Sequence, residues 1–422
     1  MRKVLVIGAG PAGMMAAGAA AECGAQVILC EKNDRVGKKL RITGKGRCNL
    51  TNCCDSEEFI RHLTSNARFM YSAIHHFSCY DTIDFFENLG LSTKVERGNR
   101  VFPASDRASD VVETLRRYIL SAGVQLQNTV VKALLIENGS VKGVRTADFD
   151  IEADCVIVAC GGLSYPLTGS TGDGYSFAKA AGHTITPILP SLVPLTSDDP
   201  VCQALQGLAL KNVRITVTDN YSDKEIYSDF GEMLFTHFGV SGPVILSASA
   251  HMREMSVDRY TLSIDLKPAL DEQTLDKRVL RDLTKFSNKD ICNSLFELLP
   301  KSLVPVILFR AQIGEHTKCN VITAEQRKRL LTSLKHFELL IRGFRPIDEA
   351  IVTAGGVDVK EIDPRTMQSK LVKGLYFAGE VLDLDAYTGG FNLQIAYSTG
   401  RLAGESASKA DSAGKGLDPF AH

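Results

Sequence analysis

The sequence predicts an α/β protein in which one parallel-sheet domain is built from both ends of the chain and interrupted by an inserted region. Three observations carry this prediction. An apolar strand, a glycine-rich turn and an alanine-rich helix open the chain between residues 3 and 24. A second strand, glycine turn and helix lie near its end, between residues 374 and 403. Between them, a proline-rich crossing leads into alternating β-type segments and then into a charged helical region.

The composition is that of a globular protein with two or three domains. The 422 residues are 44% hydrophobic and 23% charged. Forty-eight basic and forty-nine acidic residues give a net charge of −1, which provides no case for a nucleic-acid or membrane-surface partner. Eleven cysteines without regular dense spacing predict reduced thiols in a cytoplasmic protein. We expect no membrane span and no metal site.

The first strand, turn and helix carry a dinucleotide-binding motif. Gly8 permits the tight turn, Gly10 lets the backbone approach a pyrophosphate, and Gly13 lets the helix pack on the strand. The start of the helix offers unpaired N–H groups to phosphate. Glu31 ends the next strand, about twenty residues on, where an acid can accept hydrogen bonds from ribose hydroxyls. This context predicts an adenine dinucleotide, against the simpler reading of a structural glycine turn.

The C-terminal segment favours FAD over NAD. Residues 374–380 form a short apolar strand closed by Gly379 and Glu380, and Gly389-Gly390 leads into a helix. In FAD enzymes such a segment lies against the ribityl chain and the flavin pyrimidine oxygens, where helix amides favour the negative charge that develops on reduction. A middle strand ends in Ala159-Cys160-Gly161, where FAD proteins commonly carry Ala-Thr-Gly.

A basic block follows the ribose-binding acid. Residues 37–52 contain five basic residues and three glycines within sixteen positions and end in small polar side chains. Most charge runs are solvated surfaces, but glycines interleaved with cations suit a loop that wraps an anionic ligand. We therefore expect this block to contact the FAD pyrophosphate or the edge of the flavin.

The residues expected to contact FAD come from these turns and from the strand ends between them. They are Gly8, Gly10, Pro11, Ala12, Gly13, Glu31, Lys32, Gly37, Lys38, Lys39, Thr43, Gly44, Gly46, Arg47, Cys48, Asn49, Val131, Ala159, Gly161, Gly162, Gly379, Glu380, Asp383, Gly390, Phe391, Asn392 and Leu393.

With these blocks in place, the sequence resembles the flavoproteins grouped with YhiN, BaiN and aminoacetone oxidase. The matching segments, in family order, are residues 37–52, 161–174, 182–183, 235–243, 352–357 and 374–394. The resemblance implies one non-covalent FAD in a Rossmann-like domain. It also implies an inserted β-barrel with a small helical piece that covers the substrate side of the flavin. It does not imply one substrate, because amine oxidation and reduction of unsaturated steroid-like compounds are both assigned to members.

The predicted domain boundaries follow from the proline-rich crossing and the change of pattern after it. Residues 1–194 and 340–422 are expected to form a discontinuous FAD-binding domain. Residues 195–339 are expected to form the insertion, β-rich over 195–265 and helical over 271–334.

The expected activity is hydride transfer between a small organic substrate and flavin N5, with O2 or transiently bound NAD(P)H completing the cycle. Such a transfer depends on position and electrostatics more than on a nucleophile, so the sequence fixes no catalytic residue. The candidates are His237, Arg41, Lys45, Tyr165 and Tyr387. His237 lies in an apolar block, so it could instead be a residue of the hydrophobic core. The substrate, the electron partner and the oligomeric state are not predicted.

Two other functions stay open. Cys48 and Cys53 have the spacing of the redox disulfide in glutathione-reductase-like enzymes, which favours a flavin-linked disulfide reductase. Against it, the chain has no second Gly-x-Gly-x-x-Gly motif, and His422 is the only histidine after His336. A flavin-binding scaffold without turnover is also possible, because no single catalytic residue excludes it.

Overall fold

The structure is a computed structural model that describes residues 1–409. Residues 410–422, which include His422 and the end of the predicted FAD-binding domain, lie outside the described part. The strands are β1 Lys3–Ile7, β2 Gln26–Glu31, β3 Thr51–Asn52, β4 Thr93–Glu96, β5 Arg100–Pro103, β6 Gln125–Asn128, β7 Val131–Glu137, β8 Ser140–Thr146, β9 Asp150–Glu152, β10 Cys155–Val158, β11 Leu189–Ser191, β12 Leu195–Thr196, β13 Ala209–Asp219, β14 Lys224–Thr236, β15 Gly239–Ser241, β16 Tyr260–Asp265, β17 Phe337–Ile341, β18 Gly343–Phe344, β19 Val352–Ala354 and β20 Leu375–Phe377. The α-helices are α1 Pro11–Glu22, α2 Lys38–Ile42, α3 Ser56–Arg61, α4 Tyr71–His76, α5 Cys79–Asn88, α6 Ala108–Ser121, α7 Asp173–Ala180, α8 Pro200–Ala204, α9 Pro243–Ser249, α10 Glu272–Lys285, α11 Ile291–Ser294, α12 Leu303–Arg310, α13 Ala324–Lys335 and α14 Phe391–Ser408.

The chain divides into two compact units. The first contains Met1–Leu189 and the chain from Ile347 onward, and the second contains Pro190–Pro346. The sequence predicts that the chain passes between the two units after residues 194 and 339. In the structure the second boundary lies after Pro346, because β17 and β18 both belong to the sheet of the second unit.

The first unit is built on a five-stranded parallel sheet in the order β20-β10-β1-β2-β6. Its central strands are short apolar runs buried along almost their whole length, as expected for a sheet covered on both faces. Because the strands are parallel, their carboxyl ends meet at one edge of the sheet. That edge carries Gly8, Glu31, Ala159 and Ala378, which come from three separate regions of the sequence. The predicted Rossmann-like fold is confirmed.

Helices α1 and α14 pack closely in the first unit because glycines face backbone atoms. A Cβ atom on Gly400 would lie 2.4 Å from the Ala12 carbonyl oxygen. One on Gly404 would lie 2.2 Å from the Ala16 carbonyl oxygen. Only hydrogen fits at either position, so the C-terminal helix rests directly on the backbone of the first helix.

The second unit contains a β-barrel closed by one bent strand. Its antiparallel sheet has the order β17-β16-β13-β14-β15-β12-β18. The two edge strands, β17 and β18, are consecutive in the chain and separated only by Arg342. The segment 337–344 therefore pairs with β16 along its first half and with β12 along its second half, which closes the sheet on itself. Helices α10 to α13 follow β16, so the predicted insertion of a barrel and a helical piece is confirmed.

A buried histidine packs beside β20. The Nδ1 atom of His183 lies 2.9 Å from a Glu361 carboxylate oxygen, and Nε2 lies 2.8 Å from the Ser369 hydroxyl. Its ring meets Phe377 edge-on, at 5.0 Å between centroids. The carboxylate can only accept, so Nδ1 carries the proton and Nε2 of the neutral ring accepts from Ser369. Burial lowers the pKa of His183, and the Glu361 carboxylate only partly opposes that shift.

Acidification is expected to destabilise this cluster. The folded-state pKa of His183 is below the unfolded value of about 6.5, so the unfolded chain binds the proton first as pH falls. The stabilisation is therefore complete above about pH 6.5 and is lost as pH falls from there toward the folded pKa. Thermal unfolding between about pH 7.5 and about pH 5.5 should show a smaller loss of Tm in His183→Gln than in the parent. His75→Gln removes an exposed histidine and should keep the full loss. An equal loss in His183→Gln and the parent would assign the pH dependence to other groups.

Candidate functional site

The N-terminal glycine turn is shaped by the backbone around it and is open on one side. Gly8 has a φ of 100°, and a Cβ atom there would lie 2.7 Å from the Ala159 carbonyl oxygen. A Cβ atom on Gly13 would lie 1.8 Å from the Gly8 carbonyl oxygen. A Cβ atom on Gly10, by contrast, would meet nothing within 4 Å. The start of α1 has no side-chain cap and no acidic residue in its first turn, so its first N–H groups are left uncapped.

Glu31 is fixed beside this turn. It ends β2 with 8% of its surface exposed. One carboxylate oxygen accepts the Ala9 N–H at 2.7 Å, and the other accepts the backbone and side-chain N–H groups of Asn33 at 2.8 and 2.7 Å. These bonds hold the carboxylate where the dinucleotide motif requires its ribose-binding acid.

An ion pair between Lys39 and Glu380 joins distant segments at the same edge of the sheet. Lys39 Nζ lies 2.8 Å from one Glu380 oxygen and 2.5 Å from the Ser164 hydroxyl. The other Glu380 oxygen accepts the Thr353 N–H at 2.9 Å. Both charged side chains are only 20% exposed. The cluster therefore links α2, the loop after β10, β19 and the end of β20.

The basic block contains two buried polar atoms without a hydrogen-bond partner among the described residues. They are Nε of Arg41 and Oδ1 of Asn49. A buried group left unpaired costs free energy, so each of these two atoms needs a partner such as a ligand or a water molecule. An unshared N–H donor, an unshared acceptor and the open space at Gly10 fit a cofactor that brings its own acceptors and donors, as FAD does. The residues present therefore fit FAD.

The C-terminal glycine turn lies against the end of the basic block. Gly389 and Gly390 both have positive φ, and a Cβ atom on Gly390 would lie 2.4 Å from the Thr51 carbonyl. The Asn52 side chain donates to the Gly389 carbonyl at 3.1 Å. The Thr51 hydroxyl donates to the Gln394 side chain at 2.6 Å. The start of α14 is thus held next to β3, with no side-chain cap on its N–H groups.

Some of the predicted cofactor contacts serve packing. The Asn392 side chain accepts the Ala386 N–H at 3.0 Å and donates to the Ala386 carbonyl at 2.7 Å, so it anchors its own turn. Phe391 is buried and stacks on His62 at 4.2 Å between ring centroids. Val131 is buried at the start of β7. For Asn392 and Phe391, we retain only the backbone N–H as a proposed cofactor contact.

Besides Lys39, which pairs with Glu380, three further predicted cofactor cations face carboxylates. Arg47 also covers the Phe102 ring at 4.2 Å. A cation paired in this way offers less of its charge to a phosphate, so we leave these three out of the proposed cofactor site. The pairs are Lys32 with Asp173, Lys38 with Asp34, and Arg47 with both Glu96 and Asp106.

The catalytic candidates lie in different places. Lys45 is exposed in a left-handed turn, and Tyr165 is half-buried in a left-handed conformation directly after the ion-pair cluster. Tyr387 is half-buried, and its ring meets His62 edge-on at 5.8 Å between centroids. His237 belongs to the second unit, between β14 and β15, and is exposed rather than part of a core. Arg41, with its unpaired Nε, is the candidate that the structure supports most directly.

Sequence reasoning missed several residues of the site. Ser164, Thr353 and Gln394 each lie inside a block that resembles the flavoprotein family, so a polar residue in those blocks was the available signal. Thr51 was inside the basic block but was not selected. His62 has no motif around it, and only the fold brings it against the C-terminal turn.

Cys48 and Cys53, the pair of the alternative disulfide-reductase hypothesis, are not joined by a disulfide. All eleven are free thiols. Cys48 is completely buried, and burial raises the pKa of its thiol to about 12. A flavin-linked dithiol needs a thiolate, and the raised pKa keeps the Cys48 sulfur protonated.

Among residues 1–409, no helix is long and apolar enough to cross a membrane. Within the same residues, no group of three or more His, Cys, Asp or Glu side chains is placed to hold a metal ion.

A parallel sheet with an N-terminal and a C-terminal glycine turn and a fixed acid at its carboxyl edge defines a dinucleotide-binding flavoprotein. The chain belongs to the family described as HI0933-like protein Rossmann domain, which matches residues 2–406, and it is an FAD-dependent oxidoreductase. This membership confirms the resemblance found in the sequence blocks.

Curated relatives span the whole chain. The chain is 33% identical to a 3-dehydro-bile acid delta(4,6)-reductase of Clostridium scindens, over 97% of this chain and 100% of that protein. It is 31% identical to a ribosomal RNA dihydrouridine synthase of Escherichia coli, over 94% and 95% of the two chains. A 3-ketosteroid-delta4-(5alpha)-dehydrogenase structure from Rhodococcus jostii shares the fold, with a TM-score of 0.52, 14% identity and 97% coverage of both chains.

Gly10→Ala is expected to separate cofactor binding from folding. The added methyl meets no protein atom, so the apoprotein should unfold at the parent's temperature. It would fill the space needed for the close approach of a pyrophosphate, so FAD affinity should fall by about tenfold or more, equivalent to about 1.4 kcal/mol or more. Titration of apoprotein with FAD measures this loss. Gly13→Ala is the contrast, since its methyl collides with backbone and should lower the unfolding temperature as well. Unchanged FAD affinity in Gly10→Ala would contradict phosphate binding at this turn.

The Lys39–Glu380 pair is expected to show coupling in a double-mutant cycle of Lys39→Met and Glu380→Gln. Both partners are mostly buried, so the coupling in urea unfolding should be about 1 kcal/mol or more. The exposed pair of Glu57 and Arg61 provides the control, for which we expect coupling near zero. Equal coupling in the two cycles would show that the inner pair has no special role in stability.

Proposed function

We propose that this protein uses FAD to transfer a hydride to a small organic substrate whose carbon–carbon double bond is conjugated with a carbonyl group, with NAD(P)H as the electron source. The observation that carries the proposal is the pair of orphaned atoms in the basic block, Arg41 Nε and Asn49 Oδ1, beside a dinucleotide turn that is open at Gly10. These groups are prepared for a bound cofactor and for a substrate beside it.

The substrate class is supported by the chemistry that two relatives' names have in common. A 3-dehydro-bile acid with delta(4,6) double bonds carries carbon–carbon double bonds conjugated with a ketone. A dihydrouridine is a uridine whose ring double bond, next to a carbonyl, has been saturated. Both reductions add a hydride to one carbon of a polarised double bond and a proton to the other. When bound, FAD supplies N5 as the hydride donor.

The chain's own residues contribute binding, orientation and charge. The amides at the start of α1 and the fixed Glu31 carboxylate bind the dinucleotide end of the cofactor. The Lys39–Glu380 pair holds α2 against the ends of β10 and β20, which orients Arg41 on the same helix. Arg41 then offers an N–H donor, not shared with any described residue, to the negative charge that develops on a carbonyl oxygen during reduction.

A small substrate is favoured over RNA by the charge of the second unit. Its residues 190–346 contain twenty basic and nineteen acidic side chains. At least ten of the basic side chains lie in ion pairs with carboxylates, so they contribute little to an unpaired basic surface. RNA binding depends on phosphate contacts by such a surface. The absence of a nucleic-acid partner stays a prediction, because one relative's name includes ribosomal RNA.

Anaerobic stopped-flow measurements test the proposal. NADPH or NADH should reduce the bound flavin, and a cyclic enone such as a 3-oxo-delta4 steroid should reoxidise it faster than O2 or a uridine-containing RNA. Faster reoxidation by RNA would replace the substrate class, and a dominant reaction with O2 would identify an oxidase instead. A flavin that stays oxidised with both donors would favour the scaffold, and a protein that cannot be reconstituted with FAD would overturn the proposal.

Arg41→Met is expected to slow flavin reoxidation by the enone by about tenfold to a hundredfold at saturating FAD, because a charge-stabilising donor is lost. Lys38→Met is the matched control on the same helix. Its ammonium already pairs with Asp34, so its removal should leave the rate unchanged. Equal rates in Arg41→Met and the parent would remove Arg41 from the reaction.

A further inference from the structure

We propose that Cys54 and Cys79 are a modification site that closes reversibly to a disulfide when the protein meets hydrogen peroxide. Their sulfur atoms lie 4.0 Å apart, although 25 positions separate the two residues in sequence. Both side chains are buried, with 6% and 1% exposure. A disulfide has sulfur atoms about 2.05 Å apart, so closure needs an approach of about 2 Å.

The surroundings of the two thiols differ in a way that suits this chemistry. Cys79 is the first residue of α5, and its own backbone N–H favours the thiolate form of its side chain. The Cys54 thiol and the Asn52 backbone hold the pKa of the Cys79 thiol below its usual value, against the effect of burial. The neighbouring Cys79 and then burial raise the pKa of Cys54, as do the carboxylates of Asp55 and Glu58. We assign Cys79, at the start of α5, as the nucleophile and Cys54 as the resolving thiol.

The reaction balances with peroxide as the two-electron oxidant. The Cys79 thiolate attacks one peroxide oxygen, a sulfur–oxygen bond forms, the oxygen–oxygen bond breaks, and the departing hydroxide takes a proton to become water. The Cys54 sulfur then attacks the Cys79 sulfur, the disulfide forms, and the sulfur–oxygen bond breaks with release of a second water. Two thiols lose two electrons and two protons in total, and peroxide is reduced to two waters.

Formation of this disulfide would affect the C-terminal turn. The Gln394 side chain forms hydrogen bonds with both segments that carry the cysteines, the one before Cys54 and the one before Cys79. The Gln394 side chain accepts from Thr51 and donates to the carbonyls of Phe77 and Ser78, at 3.2 and 3.1 Å. Ser398, one turn along α14, donates to the Phe77 carbonyl at 2.7 Å. Drawing the two sulfurs together displaces these segments relative to each other and distorts the first turns of α14. This consequence rests on the cofactor site proposed above.

Peptide mapping of peroxide-treated wild-type protein tests the site directly. Trypsin releases residues 48–61 and 69–94 as separate peptides, so a disulfide should appear as one cross-linked species lighter by two hydrogens. Fragmentation should assign the bond to Cys54 and Cys79, and dithiothreitol should reverse it. Cys53→Ser, which removes the adjacent thiol, should still form the bond. A bond to any other cysteine, or two thiols that remain open to alkylation after peroxide is consumed, would overturn the proposal.

A second readout separates the modification from its effect. FAD titration of apoprotein in its oxidised and reduced forms should show several-fold weaker binding in the oxidised form, and Cys79→Ala should bind equally under both conditions. Unchanged affinity in the cross-linked protein would overturn the coupling to α14 while the site itself stands. A protein that binds no FAD in either form would overturn the proposed function, whereas the mapped disulfide would be unaffected. If Cys79→Ala does not fold, the mapping of the wild-type protein decides alone.

Discussion

The ion pair between Lys39 and Glu380 is the interaction on which the geometry of the cofactor edge depends. Its two partners are 341 positions apart, and each stands at the end of a different structural element. The hydroxyl of Ser164 and the backbone of Thr353 share the same carboxylate, so four segments meet at one point. A charge held with one-fifth of its surface exposed is stable only when its partner and hydrogen bonds are in place. Local disorder in any of the four segments is therefore opposed by the other three.

The parallel sheet and the glycines align the turns at the cofactor edge, which the ion pair alone cannot do. Parallel pairing of β20, β10, β1 and β2 puts their carboxyl ends side by side, which aligns the glycine turns before any side chain acts. Direct backbone contact between α1 and α14, at Gly400 and Gly404, then carries the C-terminal turn to the same edge. Backbone packing thus places the glycine turns, and the ion pair fixes α2 and the strand ends beside them.

The parts of the site that the sequence predicts are those with local causes. Gly8 and Gly13 are required by contacts within one turn and its neighbouring strand, so their spacing alone indicates the motif. The engagement of Arg47 could not be predicted, because Glu96 and Asp106 approach it only through the fold of a small separate sheet. Closure of the barrel at Arg342 likewise follows from pairing between strands far apart in sequence. The exposure of His237 could not be predicted either. Apolar neighbours in the sequence do not determine which side chains of a tight turn face solvent.

The bent strand that closes the barrel also brings the two ends of the inserted unit together. Leu195 pairs with Phe344, and the Arg345 N–H donates to the Pro194 carbonyl at 3.0 Å. A unit whose entry and exit lie side by side adds little closure entropy to the chain that hosts it. Such a unit can be lengthened, reshaped or replaced as a cassette without changing the register of the host sheet.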